Sequence, residues 1–188
     1  MNIFVLSDLP HEAAAHHCNK HVVKMILESA QMLCTAHWFS HLHIHNKKIS
    51  DFKRVRDAQS WLREVVDPEK QPPWKMTHIN HPCNVWTRES TANYEWHSQL
   101  GLALCDEYTR RYGKVHKSTS VHYWLANNAP LLPSGKRTEH PQCVPDDCKA
   151  GSSDPVSAYR SYYNRYKNKL AVWEPLARTP NWYTGKWE

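Results

Sequence analysis

One stretch of the sequence carries charges at helical spacing: Lys20, His21, Lys24 and Glu28, with Asp8 shortly before it. Residues four apart share a helix face, so Lys24 and Glu28 are predicted to meet. Such a pair is either an ordinary ion pair worth ~0.3–0.5 kcal/mol or part of a site. A carboxylate beside a flipped nucleotide can activate water or stabilise a sugar cation while a base is excised. A lyase further needs an amine for a Schiff base, which Lys20, Lys24 or the chain's own amino group could supply. Glu28 and Asp8 are therefore the candidate carboxylates, with Lys24 and Lys20 as electrostatic or amine groups.

A second constellation is Asn80-His81-Pro82 at a predicted helix start. Helix amides with Asn and His side chains can hold a phosphate or a base edge, or simply cap the helix. His21 and His81 are read as base or phosphate contacts. A third is basic and aromatic: Arg110, Arg111, Tyr112, Lys114, His116 and Lys117, followed by a tyrosine-rich segment that begins with Tyr159. Cations neutralise phosphates and aromatic rings stack on bases, although a solvated surface would have the same composition.

Other chemistries find less support. His16, His17, Cys18 and His21 cluster, His41, His43 and His45 alternate, and Cys143 and Cys148 form a loose pair. None has the spacing of a zinc finger or zincin, so neither a metal nor a cofactor is expected. The five glycines form no phosphate cradle or dinucleotide fingerprint. No nucleophile elbow surrounds a serine.

The elements that must position these residues read as helices. Pro10 to about Phe39 is predicted as one long helix or two abutting ones, broken by His41–Asn46. Asp51 can cap a second helix that ends at Asp67-Pro68. Pro82 to about Arg111 reads as one helix with Gly113 as its stop, and Ser118 or Ser120 can start a short one. Residues 127–153 read as a long loop of the kind that carries function. Asp154-Pro155 opens a final helix, and the tail around Trp182-Tyr183 is predicted to dock back onto the body. Residues 2–7 read as a buried N-terminal strand or extended segment. The fold class is mainly α: a single-domain helical bundle over residues 1–188, with a short extended N-terminus and long loops.

Charge and aromatic content favour a polyanion. The 188 residues include 24 Lys plus Arg against 18 acidic residues, a formal charge of +6, with nine Trp and nine Tyr. No apolar run approaches the ~20 residues of a membrane span, and no signal peptide is recognisable. Six cysteines without a secretory signal read as free thiols in a cytoplasm. The expected partner is double-stranded DNA, with no membrane, no obligatory protein partner and a monomeric chain.

Several segments carry a resemblance: residues 2–6, Cys18-Asn19-Lys20-His21-Val22-Val23-Lys24-Met25, Asn80-His81-Pro82, residues 107–114, Asp154-Pro155 with Tyr159, and Pro180-Asn181-Trp182. Over nearly the whole chain they resemble a small uncharacterised protein family encoded mostly by tailed phages. More distantly, Asn80-His81-Pro82 and Pro180-Asn181-Trp182-Tyr183 resemble parts of the pyrimidine-dimer DNA glycosylases of the endonuclease V type. That resemblance implies a compact all-helical fold and base excision from DNA, with Glu28 or a neighbour as the catalytic carboxylate. In that family the nucleophilic amine is exposed when Met is removed before a small residue. Here residue 2 is Asn, which disfavours that step and points to a monofunctional glycosylase, or to one using Lys20 or Lys24. The expected function is excision of a damaged or modified pyrimidine, such as a glucosylated hydroxymethylated base, in the cytoplasm of a phage-bearing bacterium. The alternatives are a non-enzymatic nucleic-acid-binding phage protein and an enzyme acting on nucleotides.

Overall fold

The computed structural model describes residues 1–149 and 154–185, and among these it is all-helical. Seven α-helices follow one another: α1 (Pro10–His16), α2 (Asn19–Ile44), α3 (Val55–Val65), α4 (Pro82–Glu89), α5 (Thr91–Tyr112), α6 (Thr119–Asn127) and α7 (Pro155–Tyr166). Short 3-10 turns lie at Ile49–Asp51, Pro68–Lys70 and Asp146–Cys148. No described helix is long and apolar enough to cross a membrane.

Local chemistry sets most boundaries. Proline occupies the first turn of α1, α4 and α7, where its missing N–H leaves no intrahelical partner wanting. Asp154 accepts from the Ser157 N–H and caps α7 as expected. Gly113 ends α5 at φ 62°, a left-handed conformation that costs glycine no Cβ clash.

The first helical stretch divides at His17-Cys18 into two abutting helices, α1 and α2, one of the two arrangements read from the sequence. Three other boundaries differ from that reading. α2 runs past Phe39 to Ile44; Leu42 is buried in the core there and His41 Nε2 pairs with the Lys70 carbonyl. Asp51 does not cap α3: it belongs to a 3-10 turn, and α3 starts at Val55 after Arg54. The helix from Pro82 is broken at Ser90, whose hydroxyl accepts from the Asn93 N–H and starts α5 afresh.

α2 is the spine, about 39 Å long at 1.5 Å per residue. Its first turns, at Val22, Met25 and Ile26, join Ile3–Leu6, Trp86, Trp96, Leu100, Tyr159, Tyr163 and Trp173 in the main core. Its middle packs Ala30, Leu33 and Cys34 on Tyr94, Val121 and Leu125. Its end packs Trp38 and Leu42 on Ala58, Leu62 and Met76. The N-terminal segment is extended and buried, and no strand occurs among the described residues. Trp182 and Tyr183 dock on Trp173 as foreseen.

The long loop after α6 is a pinned strap. The Asn93 amide donates to the Trp86 carbonyl and to Thr138 Oγ1, while Asn93 Oδ1 accepts from the Thr138 N–H. Leu131 N donates to Ser40 Oγ, and Thr91 N to the Pro133 carbonyl. The strap carries Cys143 toward the N-terminal segment.

Candidate functional site

Glu28 lies on α2 beneath the N-terminal segment, with a side chain 11% exposed. The Asn2 backbone N–H donates to Glu28 Oε2 at 3.0 Å, and the Met1 nitrogen stands 3.7 Å from the same oxygen. Lys24, one turn earlier, brings Nζ to 3.3 Å from Oε1. The predicted Lys24–Glu28 pair therefore forms, but the carboxylate is largely withdrawn from solvent and shared with Met1 and Asn2. Lys24 itself is two-thirds exposed, so its Coulombic gain is small; the backbone donor and the withdrawal from water distinguish this carboxylate.

Asn2 ties the surroundings together. Its Nδ2 donates to the Cys143 carbonyl at 3.0 Å. Its Oδ1 accepts from Tyr159 Oη at 2.8 Å, from Cys83 Sγ at 3.3 Å and from the Ile3 N–H at 2.9 Å. α2, α4, the strap and α7 thus meet at one residue of the N-terminal segment. His81 caps α4, its Nδ1 accepting from the Cys83 N–H at 3.3 Å. Partial burial lowers the proton affinity of His81, and the Met1 amino group lowers it further, while Glu28 acts in the opposite sense. His81 is consequently neutral near pH 7 and lies within the field of Glu28.

Beside Asn2, Cys83 donates to Cys143 across an Sγ–Sγ distance of 3.6 Å. This contact makes Cys143 a stronger acid than an ordinary thiol, and Cys83, whose thiol donates the bond, a weaker one. His81, Cys83 and Cys143 present three ligand atoms within 4.8 Å of one another. This is the group among the described residues whose chemistry suits a metal.

The remaining candidates separate. Asp8 is exposed, pairs with Arg137 at 2.7 Å and lines a cavity of about 260 Å³ with Trp86, Trp96 and His140, a lining that does not include Glu28. Lys20 is exposed and makes no ion pair among the described residues. His21 is buried, stacked on Phe4 at 4.5 Å and bonded to the Tyr163 hydroxyl; burial lowers its pKa to about 3. Tyr159 is also fully buried, its hydroxyl spent on Asn2 and the Pro141 carbonyl. The Arg111 side chain is 0% exposed: it pairs with Glu107 and donates to the carbonyls of His17 and Ala15. These three act inside the fold, where His21 Nδ1, the Tyr159 hydroxyl and the Arg111 guanidinium are occupied. Asn80 and Lys114 are exposed, as a contact to DNA requires.

Arg110 is the accessible member of its pair, with a side chain 57% exposed. It lines a groove of about 630 Å³ with His16, Arg160, Arg178, Asn181 and Trp182. Arg160 lies over the Trp182 ring at 5.4 Å. Three guanidinium groups around an indole make a surface suited to phosphate and base together.

The sequence reading linked Cys143 only loosely to Cys148, did not single out Cys83 and gave Asn2 no place at a site. Sixty residues separate Cys83 from Cys143, so no short spacing marks that pair, and Asn2 was read within the extended segment 2–7. No protein-family model matches the chain, and no curated protein or solved structure matches it.

Proposed function

We propose that the chain is a DNA glycosylase that flips a damaged or modified pyrimidine out of duplex DNA and excises it at Glu28. The observation that carries this reading is the Glu28 carboxylate: nearly buried, bonded to a backbone N–H and flanked by an amine on Lys24. A carboxylate of this kind can stabilise positive charge on the sugar as the C1′–N1 bond breaks. The bonding pair leaves with the base, which takes up a proton. Water then adds to C1′ and gives up its own proton. Neutral His81 at the start of α4 is placed to hold a base edge or a phosphate. Were Lys24 to add to the sugar instead of water, a Schiff base and strand cleavage would follow. The groove with Arg110, Arg160, Arg178 and Trp182 supports a nucleic-acid partner, and the family resemblance supports base excision. A glucosylated or hydroxymethylated pyrimidine is the favoured substrate class, in keeping with a phage setting.

The test is incubation with duplexes that are unmodified, uracil-containing, UV-irradiated, hydroxymethylcytosine-containing or glucosylated. Alkali-induced breaks and mass spectrometry of released bases are the readouts. A free base from one duplex supports the reading and names the substrate. Intact DNA throughout, with a salt-sensitive gel shift, favours a second reading that the arginine groove also supports, a non-enzymatic nucleic-acid-binding protein.

A further inference from the structure

We infer that His81, Cys83 and Cys143 form a binding site for one zinc ion, with three protein ligands and a fourth position left for water. Ligand chemistry and distance both carry this. Two thiolates and an imidazole are the donors zinc takes in tetrahedral sites, at about 2.3 Å for sulfur and about 2.0–2.1 Å for nitrogen. Tetrahedral geometry at those lengths sets two sulfurs about 3.8 Å apart. The Cys83 and Cys143 sulfurs lie 3.6 Å apart. The three ligand atoms span at most 4.8 Å, so closing them on one ion requires a shift of about 1 Å. His81 and Cys143 are both partly exposed, which gives an ion a way in and the two outer ligands room to adjust.

The surroundings are those of a supported site. Cys83 is fully buried in the first turn of α4, and His81 stands two residues before it. Cys143 is held on the opposite side by its own N–H donating to Tyr159 Oη at 3.2 Å and by its carbonyl accepting from Asn2. Hydrogen bonds of this kind hold the ligands of metal sites in orientation. Both thiols must lose their protons to solvent for the ion to bind, which makes binding weaker in acid. The thiol contact as it stands is a hydrogen bond, far longer than the ~2.05 Å of a disulfide. The inference leaves Glu28 and Lys24 as they stand in the glycosylase reading, but gives His81 to the ion in place of the base or phosphate contact.

The test is cobalt(II) titration of the reduced full-length chain, with zinc content after gel filtration measured by elemental analysis. One equivalent of metal is expected, with a thiolate-to-cobalt charge-transfer band in the near ultraviolet and tetrahedral ligand-field bands in the visible. Zinc should displace the cobalt and bleach both. Cys143→Ser, at a partly exposed position, should weaken binding by more than the ~10–100-fold that loss of a residue bonded to a ligand costs, and should weaken the charge-transfer band. His81→Asn keeps a side chain able to cap α4, so it should fold, retain the thiolate band and bind more weakly. Cys148→Ser, outside the cluster, should bind like the parent chain. Cobalt taken up without a thiolate band, at other histidines, would overturn the site. So would a charge-transfer band undiminished in Cys143→Ser.

Discussion

Lowering the pH from 7.5 to 5.5 should remove a large part of the stability of this chain, through histidines that the fold keeps neutral. His17, His21, His37, His97, His122 and His140 are each at most 7% exposed. Burial lowers their pKa values to about 4 for His17 and His122 and about 3 for His21, His37 and His140, and takes His97 well below its usual value. The folded values lie below the unfolded value of about 6.5, so the unfolded chain binds more protons in this range. The stabilisation is therefore complete above pH 6.5 and is lost as the pH falls from there toward the folded values. At pH 5.5 each such histidine favours the unfolded state by about 1.4 kcal/mol, and six together by on the order of 8 kcal/mol. A domain is stable by about 5–15 kcal/mol in all, so this shift is enough to unfold it or bring it to the edge. Urea denaturation followed by tryptophan fluorescence from pH 8 to 5 measures it. The midpoint should be level above pH 7 and fall steeply below 6.5. A midpoint unchanged between pH 7.5 and 5.5 would refute the argument, because it would mean that these side chains titrate normally in the folded protein.

Three further outcomes are expected. Gly101→Ala would ordinarily favour a helix by up to ~1 kcal/mol, but a Cβ there would meet the His122 ring at 2.4 Å, and His122 is held by the Ile26 carbonyl; thermal melting should show a net loss of about 1–3 kcal/mol. Arg111→Met leaves the His17 and Ala15 carbonyls without their donor in the core and Glu107 with Arg110 as its remaining partner, so denaturation should report a loss of about 2–4 kcal/mol; a change under 1 kcal/mol would contradict the burial described. Arg110→Gln and Arg178→Gln, on the exposed groove, should each lower the slope of log K against log salt for duplex binding by about 1 in a fluorescence-anisotropy titration, and Arg178→Gln should leave stability alone.

The helical class, the buried Ile3–Leu6 segment, the Asp154 cap, the Gly113 stop and the docked tail were legible because each rests on local chemistry or on an apolar run. The break at Ser90 was not: Glu89-Ser90-Thr91 continues a helical pattern, and the interruption depends on Asn93 turning to hold the Trp86 carbonyl and Thr138 of a distant strap. Periodicity also identifies a face without saying what covers it. Arg111 looks like surface beside Arg110, yet the His17 and Ala15 carbonyls and Glu107 enclose it. His21 and Tyr159 were likewise read outward and point inward, because aromatic neighbours cover them. In the candidate site, the Lys24–Glu28 pair follows from i, i+4 spacing alone. The approach of Asn2, Cys83 and Cys143 depends on long-range packing, which no spacing encodes.

The central claim is that Glu28 does chemistry on bound DNA, and one comparison tests it most directly. Wild-type chain and Glu28→Gln would be mixed in excess with the duplex that gives the most product, and duplex binding and base release followed in the same samples. The account predicts equal binding within a few-fold, with release slowed by a factor of about 100 or more in Glu28→Gln. Equal release by both proteins, or binding with no base released by either, would contradict it.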